Sequence, residues 1–136
     1  MSTSNYKVIQ MANGFDPNKF LEFANHLIND GDYERDCRAR TAIGRIYYAP
    51  FLLTLQKFSE KGVSIKEREK IHQLVIETCI EKGLSTIGNG LDQLREKRVD
   101  ADYNMMANIT LDNCKKQAQF AEYIIGLIGQ IKTIRK

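Results

Sequence analysis

Residues 110–128 read TLDNCKKQAQFAEYIIGLI, and this stretch decides the fold class. Leu111, Cys114, Ala118, Ala121, Ile125 and Ile128 recur three and four residues apart, which places them on one face of an α-helix. Thr110 stands just before the run, where its hydroxyl can accept from the free N–H groups of a first turn. No period of two competes with this pattern, so the segment is predicted to be helical.

The same period recurs upstream. Asp16 can cap and Pro17 suits a first helical position, followed by Phe20, Phe23, Ala24, Leu27 and Ile28, with Gly31 expected to close the helix in a left-handed turn. A second segment, from about Asp32 to Glu60, carries the stripe Cys37, Ala42, Ile43, Ile46, Tyr47, Phe51, Leu55 and Phe58. Pro50 lies inside it and removes the bond to the Ile46 carbonyl, which predicts a kink or a split. A third helix is expected from a capping box, Ser64 with Glu67, with Ile71, Leu74, Val75, Thr78 and Cys79 buried and Gly83 ending it. Gly88-Asn89-Gly90 reads as a loop or frayed start before Leu91, Leu94 and Arg98. Lys7-Val8-Ile9 is too short to begin a sheet alone. The expected architecture is all-α, a four- to five-helix up-and-down bundle forming one domain over 1–136, with its core at about 17–130.

Composition agrees with a globular chain of 136 residues, 43% hydrophobic and 27% charged. Such a chain buries enough surface to need no disulfide or metal staple. Cys37, Cys79 and Cys114 are scattered without metal-ligand or redox spacing, so they read as small core side chains. Met1-Ser2-Thr3-Ser4-Asn5 lacks the basic start and apolar stretch of a signal peptide, and no apolar run approaches a membrane span, so a cytoplasmic protein without membrane contact is expected.

The chemistry-bearing residues are few. Twenty basic and 17 acidic residues leave a net charge of +3, which permits nucleic-acid binding without demanding it. Of two histidines, His26 reads as a packing residue at the edge of the first stripe. His72 lies four residues after Arg68, a spacing that shares a helical face. Arginine beside histidine suits phosphodiester cleavage, since imidazole moves a proton and guanidinium steadies phosphate charge. A solvated charged face explains Arg68-Glu69-Lys70 equally well. Arg35, Arg38, Arg40 and Arg45 crowd the second helix before Tyr47 and Tyr48. They can hold phosphate through forked donors, or pair internally with Glu34, Asp36 or the acids near Asp100. Arg95, Lys97 and Arg98 form a second basic group. No phosphate-cradling glycine loop, HExxH or carboxylate-rich loop is present, so no cofactor and no metal are expected.

Three blocks in order carry a resemblance: RARTAIGRIYYAPF at 38–51, IHQLV at 71–75 and LDQLREKRVDADY at 91–103. Together they resemble the HEPN superfamily, the small helical domains named for higher eukaryotes and prokaryotes nucleotide-binding. The resemblance implies a helical bundle, commonly a homodimer, and frequently a toxin–antitoxin or other prokaryotic defence component encoded beside a minimal nucleotidyltransferase. Active members are metal-independent ribonucleases with an arginine followed, after four to six intervening positions, by a histidine. Here Arg98 matches that arginine, but Tyr103 holds the histidine position and no histidine follows. A tyrosine of ordinary pKa is a poor base at neutral pH. The resemblance therefore implies a divergent ribonuclease in which Arg98 is catalytic and Tyr103 or His72 contributes. For a chain that binds RNA or nucleotide without cutting, it implies a surface of Arg38, Arg45, Tyr48 and Arg95 beside Arg98 and Tyr103. A structural dimerisation module is the third reading, to be preferred where Arg95 and Arg98 pair internally with Asp100 or Asp102. Gly44 and Pro50 are lesser departures from the family pattern.

Overall fold

Helix α2, Arg35–Glu60, runs through the middle of the molecule, with α1 (Asn18–Asn29), α3 (Ile71–Glu81), α4 (Ser85–Tyr103) and α5 (Leu111–Gly129) packed around it. The computed structural model describes residues 14–65 and 68–135, and among these there are five helices and no strand. The expected all-helical bundle is the observed one. Glu67 of the expected capping box, Lys7-Val8-Ile9 and the first five residues lie outside the described residues. None of the described helices is long and apolar enough to cross a membrane.

A helix at the edge of a bundle buries one stripe, whereas one in the centre buries side chains all round. In α2, Ala42, Ile43 and Gly44 are buried in succession, then Ile46 and Tyr47, then Ala49, Pro50 and Phe51. No single stripe accommodates these runs, so α2 is the central helix. Cys37, expected in the stripe, is exposed at its first turn. Pro50 neither splits nor ends the helix, which continues to Glu60 with the Thr54 hydroxyl donating to the Pro50 carbonyl at 2.8 Å. The neighbouring helices enclose that turn, so tertiary packing overrides the local cost of the proline.

The helix ends are set by identifiable groups. The Asp16 carboxylate accepts from the Asn18 N–H at 3.0 Å, and the Thr110 hydroxyl from the Asn113 N–H at 3.1 Å. Glu34 caps α2 by accepting from the Cys37 N–H at 2.8 Å. Gly83, at φ +83°, ends α3 while Leu84 N–H reaches back to the Cys79 carbonyl at 2.7 Å and Gly83 N–H to that of Ile80 at 3.2 Å. This is a Schellman closure, which glycine adopts without Cβ strain. Gly31 does not play that part: α1 stops because Asp30 turns extended, and Gly31 has no positive φ. α3 begins at Ile71, later than the capping box suggested, and buries Val75, Ile76 and Cys79.

The largest departure from expectation is Gly88-Asn89-Gly90, which lies inside α4 rather than in a loop. A Cβ at Gly88 would sit 3.0 Å from the Cys79 Cβ and 3.1 Å from the Ile76 carbonyl oxygen of α3; one at Gly90 would sit 2.5 Å from Ile124 Cδ1 of α5. These glycines are contact points where two helices approach α4 from different sides. Helix propensity is a weak prior, and packing overturns it here.

Candidate functional site

Gly88 also fixes what lies further along α3 and α4. The two helices run antiparallel from that contact, so the first turn of α3 is carried towards the middle of α4. His72 on that turn, Arg95 and Arg98 on α4, and Tyr47, Tyr48 and Phe51 on α2 meet there. The His72 ring stacks on Phe51 at 4.5 Å between centroids and 24° between planes. Tyr47 lies parallel to Phe51 at 5.4 Å, and Tyr48 meets His72 edge-on at 5.8 Å. The Tyr47 hydroxyl and His72 Nδ1 are 2.6 Å apart.

Three arginines border these rings. The Arg45 guanidinium lies 4.9 Å from the Tyr48 centroid and 4.7 Å from that of Phe20 on α1; the Arg98 guanidinium lies 5.4 Å from Tyr48. Ring faces attract the cations and hold them over the rings. Arg98 commits its Nε to Asp102 Oδ2 at 2.9 Å, one helical turn on. Arg95, half-buried, has no carboxylate partner among the described residues.

Electrostatics settle the protonation. Burial, reinforced by Arg95 and Arg98, pushes the His72 imidazole down to about 4, so it is neutral at neutral pH. Burial likewise pushes the Tyr47 hydroxyl well above its ordinary value, the nearby Arg95 and Arg98 opposing that only in part. Tyr47 therefore keeps its proton, and the 2.6 Å bond joins a neutral hydroxyl to a neutral imidazole, its direction set by the imidazole tautomer. The site thus sets three guanidiniums beside one neutral imidazole. The guanidiniums can hold a phosphate, and an imidazole whose pKa is pushed down to about 4 is only a weak base for taking a proton from a hydroxyl.

The sequence-derived candidates divide. Arg45, Tyr48, Arg95 and Arg98 come together. Arg38 does not join them: it is buried at the α1–α2 junction, with Nε donating to the Tyr33 carbonyl and Nη1 to that of Leu27, both at 2.9 Å. At seven residues it lies about 10 Å along the helix from Arg45. Tyr103, 71% exposed, lies about 140° around α4 from Arg98, on another face. Arg68 lies in the bend before α3 rather than on the helix with His72. His26 is exposed, 3.4 Å from Asp30, not a packing residue. Arg40 turns out to be structural: its Nη atoms donate to the carbonyls of Ala101, Asn104 and Ala107 at 2.9, 3.0 and 2.8 Å, closing the end of α4 and the loop to α5.

Local spacing singled out His72 but gave it Arg68 as its arginine, whereas its partners come from two other helices. The signal for the true partners was the clustering of arginines and tyrosines in the 38–51 and 91–103 blocks. Comparison with family models, characterised proteins and solved structures found no match to this chain.

Proposed function

We propose that this chain binds RNA or a nucleotide through phosphate on the face formed by Arg45, Tyr48, His72, Arg95 and Arg98, without cutting RNA by the histidine-dependent route. The observation that carries this reading is the meeting of two guanidiniums over aromatic rings and a neutral imidazole from three separate helices. Phosphate oxygens are matched by the guanidiniums, and an imidazole with so low a pKa is a weak base. With the resemblance of its three sequence blocks, this supports a HEPN-like component of a prokaryotic toxin–antitoxin or defence system. In that setting the chain acts as a homodimer or beside a minimal nucleotidyltransferase.

A second reading is a divergent, metal-independent ribonuclease. It is favoured by one observation, the placing of His72 beside Arg95 and Arg98, where Tyr103 is not. The two readings separate when purified protein is incubated with mixed RNA in EDTA: intact RNA is the expected result, and cleavage lost in both Arg98→Gln and His72→Gln supports the second. Binding is read from the anisotropy of labelled RNA across a salt series. Arg45→Gln and Arg98→Gln are each expected to weaken binding and flatten the salt slope by about 0.7. Lys116→Gln on the exposed side of α5 serves as the control. Equal losses in all three variants overturn the assignment of the surface.

A further inference from the structure

The arginines of the site belong to a longer row. Phe15, just before α1, lies 4.7 Å from Phe20 between ring centroids, with 53° between the planes. Phe20 lies under Arg45, Arg45 over Tyr48, and Tyr48 under Arg98, in steps of 4.7, 4.9 and 5.4 Å. Rings and guanidiniums thus alternate from the start of α1 across α2 to α4. Within the row, Tyr48 and Phe20 are half-buried and already face cations, so neither offers a clear platform. Phe15 differs. It is 47% exposed, and among the described residues no cation lies over it.

An apolar ring left in water beside fixed cations is an arrangement used to hold single-stranded nucleic acid, where bases stack on aromatic faces and a basic track follows the phosphates. We propose that Phe15 stacks an unpaired base of a single-stranded polynucleotide whose phosphates lie on the guanidiniums of Arg45 and Arg98. A duplex cannot do this without breaking a pair, because its bases are enclosed by their own stack. Sequence preference is weak, since every base presents a π-face. This rests on the phosphate-binding reading above and adds the strand form and the stacking residue to it.

Because Phe15 is exposed, its replacement leaves the core untouched. The experiment compares wild type, Phe15→Ala, Phe15→Tyr and Arg98→Gln by equilibrium binding. The probes are a mixed-sequence single-stranded RNA decamer, the same sequence as DNA, its RNA duplex, and inorganic tripolyphosphate. Expected are tighter binding of the single strands than of the duplex, and a loss of about fivefold or more for single strands in Phe15→Ala. Phe15→Tyr should retain affinity, and tripolyphosphate should bind Phe15→Ala as it binds wild type. The RNA and DNA arms show whether the 2′-hydroxyl contributes. If Arg98→Gln weakens every probe while Phe15→Ala binds single strands like wild type, the stacking inference is overturned and the phosphate site stands. If wild type binds none of the probes, both fall.

Discussion

Replacing Arg40 by methionine keeps the apolar stem of the side chain and removes only its guanidinium. That group holds the Ala101, Asn104 and Ala107 carbonyls at 2.8–3.0 Å, with weaker contacts to Met105 at 3.4 Å and Asp100 at 3.5 Å. Its ion pair with Asp36, at 3.5 Å and largely exposed on the acid side, adds little. A hydrogen bond from a charged donor contributes about 1.5–3 kcal/mol, and water can replace the guanidinium at the exposed Asn104 and Met105 carbonyls. The Ala101 and Ala107 carbonyls are less accessible, so the expected loss is about 3 kcal/mol. For a domain of this size that corresponds to a fall of about 10 °C in melting temperature, or about 1.5 M in the urea midpoint. Arg45→Met is the matched comparison. Arg45 touches rings rather than carbonyls, and its loss should cost only about 1 kcal/mol. Urea unfolding followed by circular dichroism reads both. An Arg40→Met protein within 1 kcal/mol of wild type, or an Arg45→Met protein equally damaged, refutes the division of the arginines into structural and binding groups.

Other expectations follow from single sites. Gly90→Ala should lose about 1 kcal/mol or more, since the added Cβ overlaps Ile124, whereas Gly126→Ala on α5, with nothing within 4 Å, should gain about 0.5–1 kcal/mol in the same melts. In a thiol-reagent assay at neutral pH only the exposed Cys37 should react in the native protein. Burial pushes the thiols of Cys79 and Cys114 up to about 12 and about 11, and all three cysteines should react in urea. His72 binds a proton more weakly folded than unfolded, so its contribution to stability is complete above pH 6.5 and lost as the pH falls towards 4. Wild type should therefore lose about 2 kcal/mol more than His72→Gln between those values, a figure already reduced for solvent around a half-buried ring. An equal acid loss in both proteins removes His72 as the responsible group.

Much of the fold was legible because local chemistry and packing agree along most of the chain. Thr110 and Gly83 each act within one or two turns and do in the structure what their positions suggest, and α5 buries Cys114, Ala118, Ala121 and Ile128 as expected, with Ile124 rather than Ile125 completing the face. Gly88 and Gly90 were misread because a glycine that permits close helix contact looks, in sequence, like one that permits a turn. The split that Pro50 suggested does not occur for a related reason: the neighbours that hold its turn in place are far away in the chain. The site was half legible. Arg45, Tyr48, Arg95 and Arg98 sit in blocks that invite attention, but spacing along α2 could not separate them from Arg38 and Arg40. That separation depends on carbonyls of α1 and α4 and of the loops that follow them, all at the end of the bundle where α2 begins. His72 itself drew attention, but its partners lie beyond local reading, since Tyr47 and Phe51 approach it from α2 and Arg95 and Arg98 from α4.

The chain has two histidines, one inside the candidate site and one outside it. Their imidazole resonances, followed by NMR while a short single-stranded RNA is added at neutral pH, test directly whether phosphate binds where the arginines meet. Movement of the His72 signals with each addition, with His26 at the far end of α1 unchanged, is the expected result. Saturable RNA binding that leaves the His72 signals where they were contradicts the placement of the site.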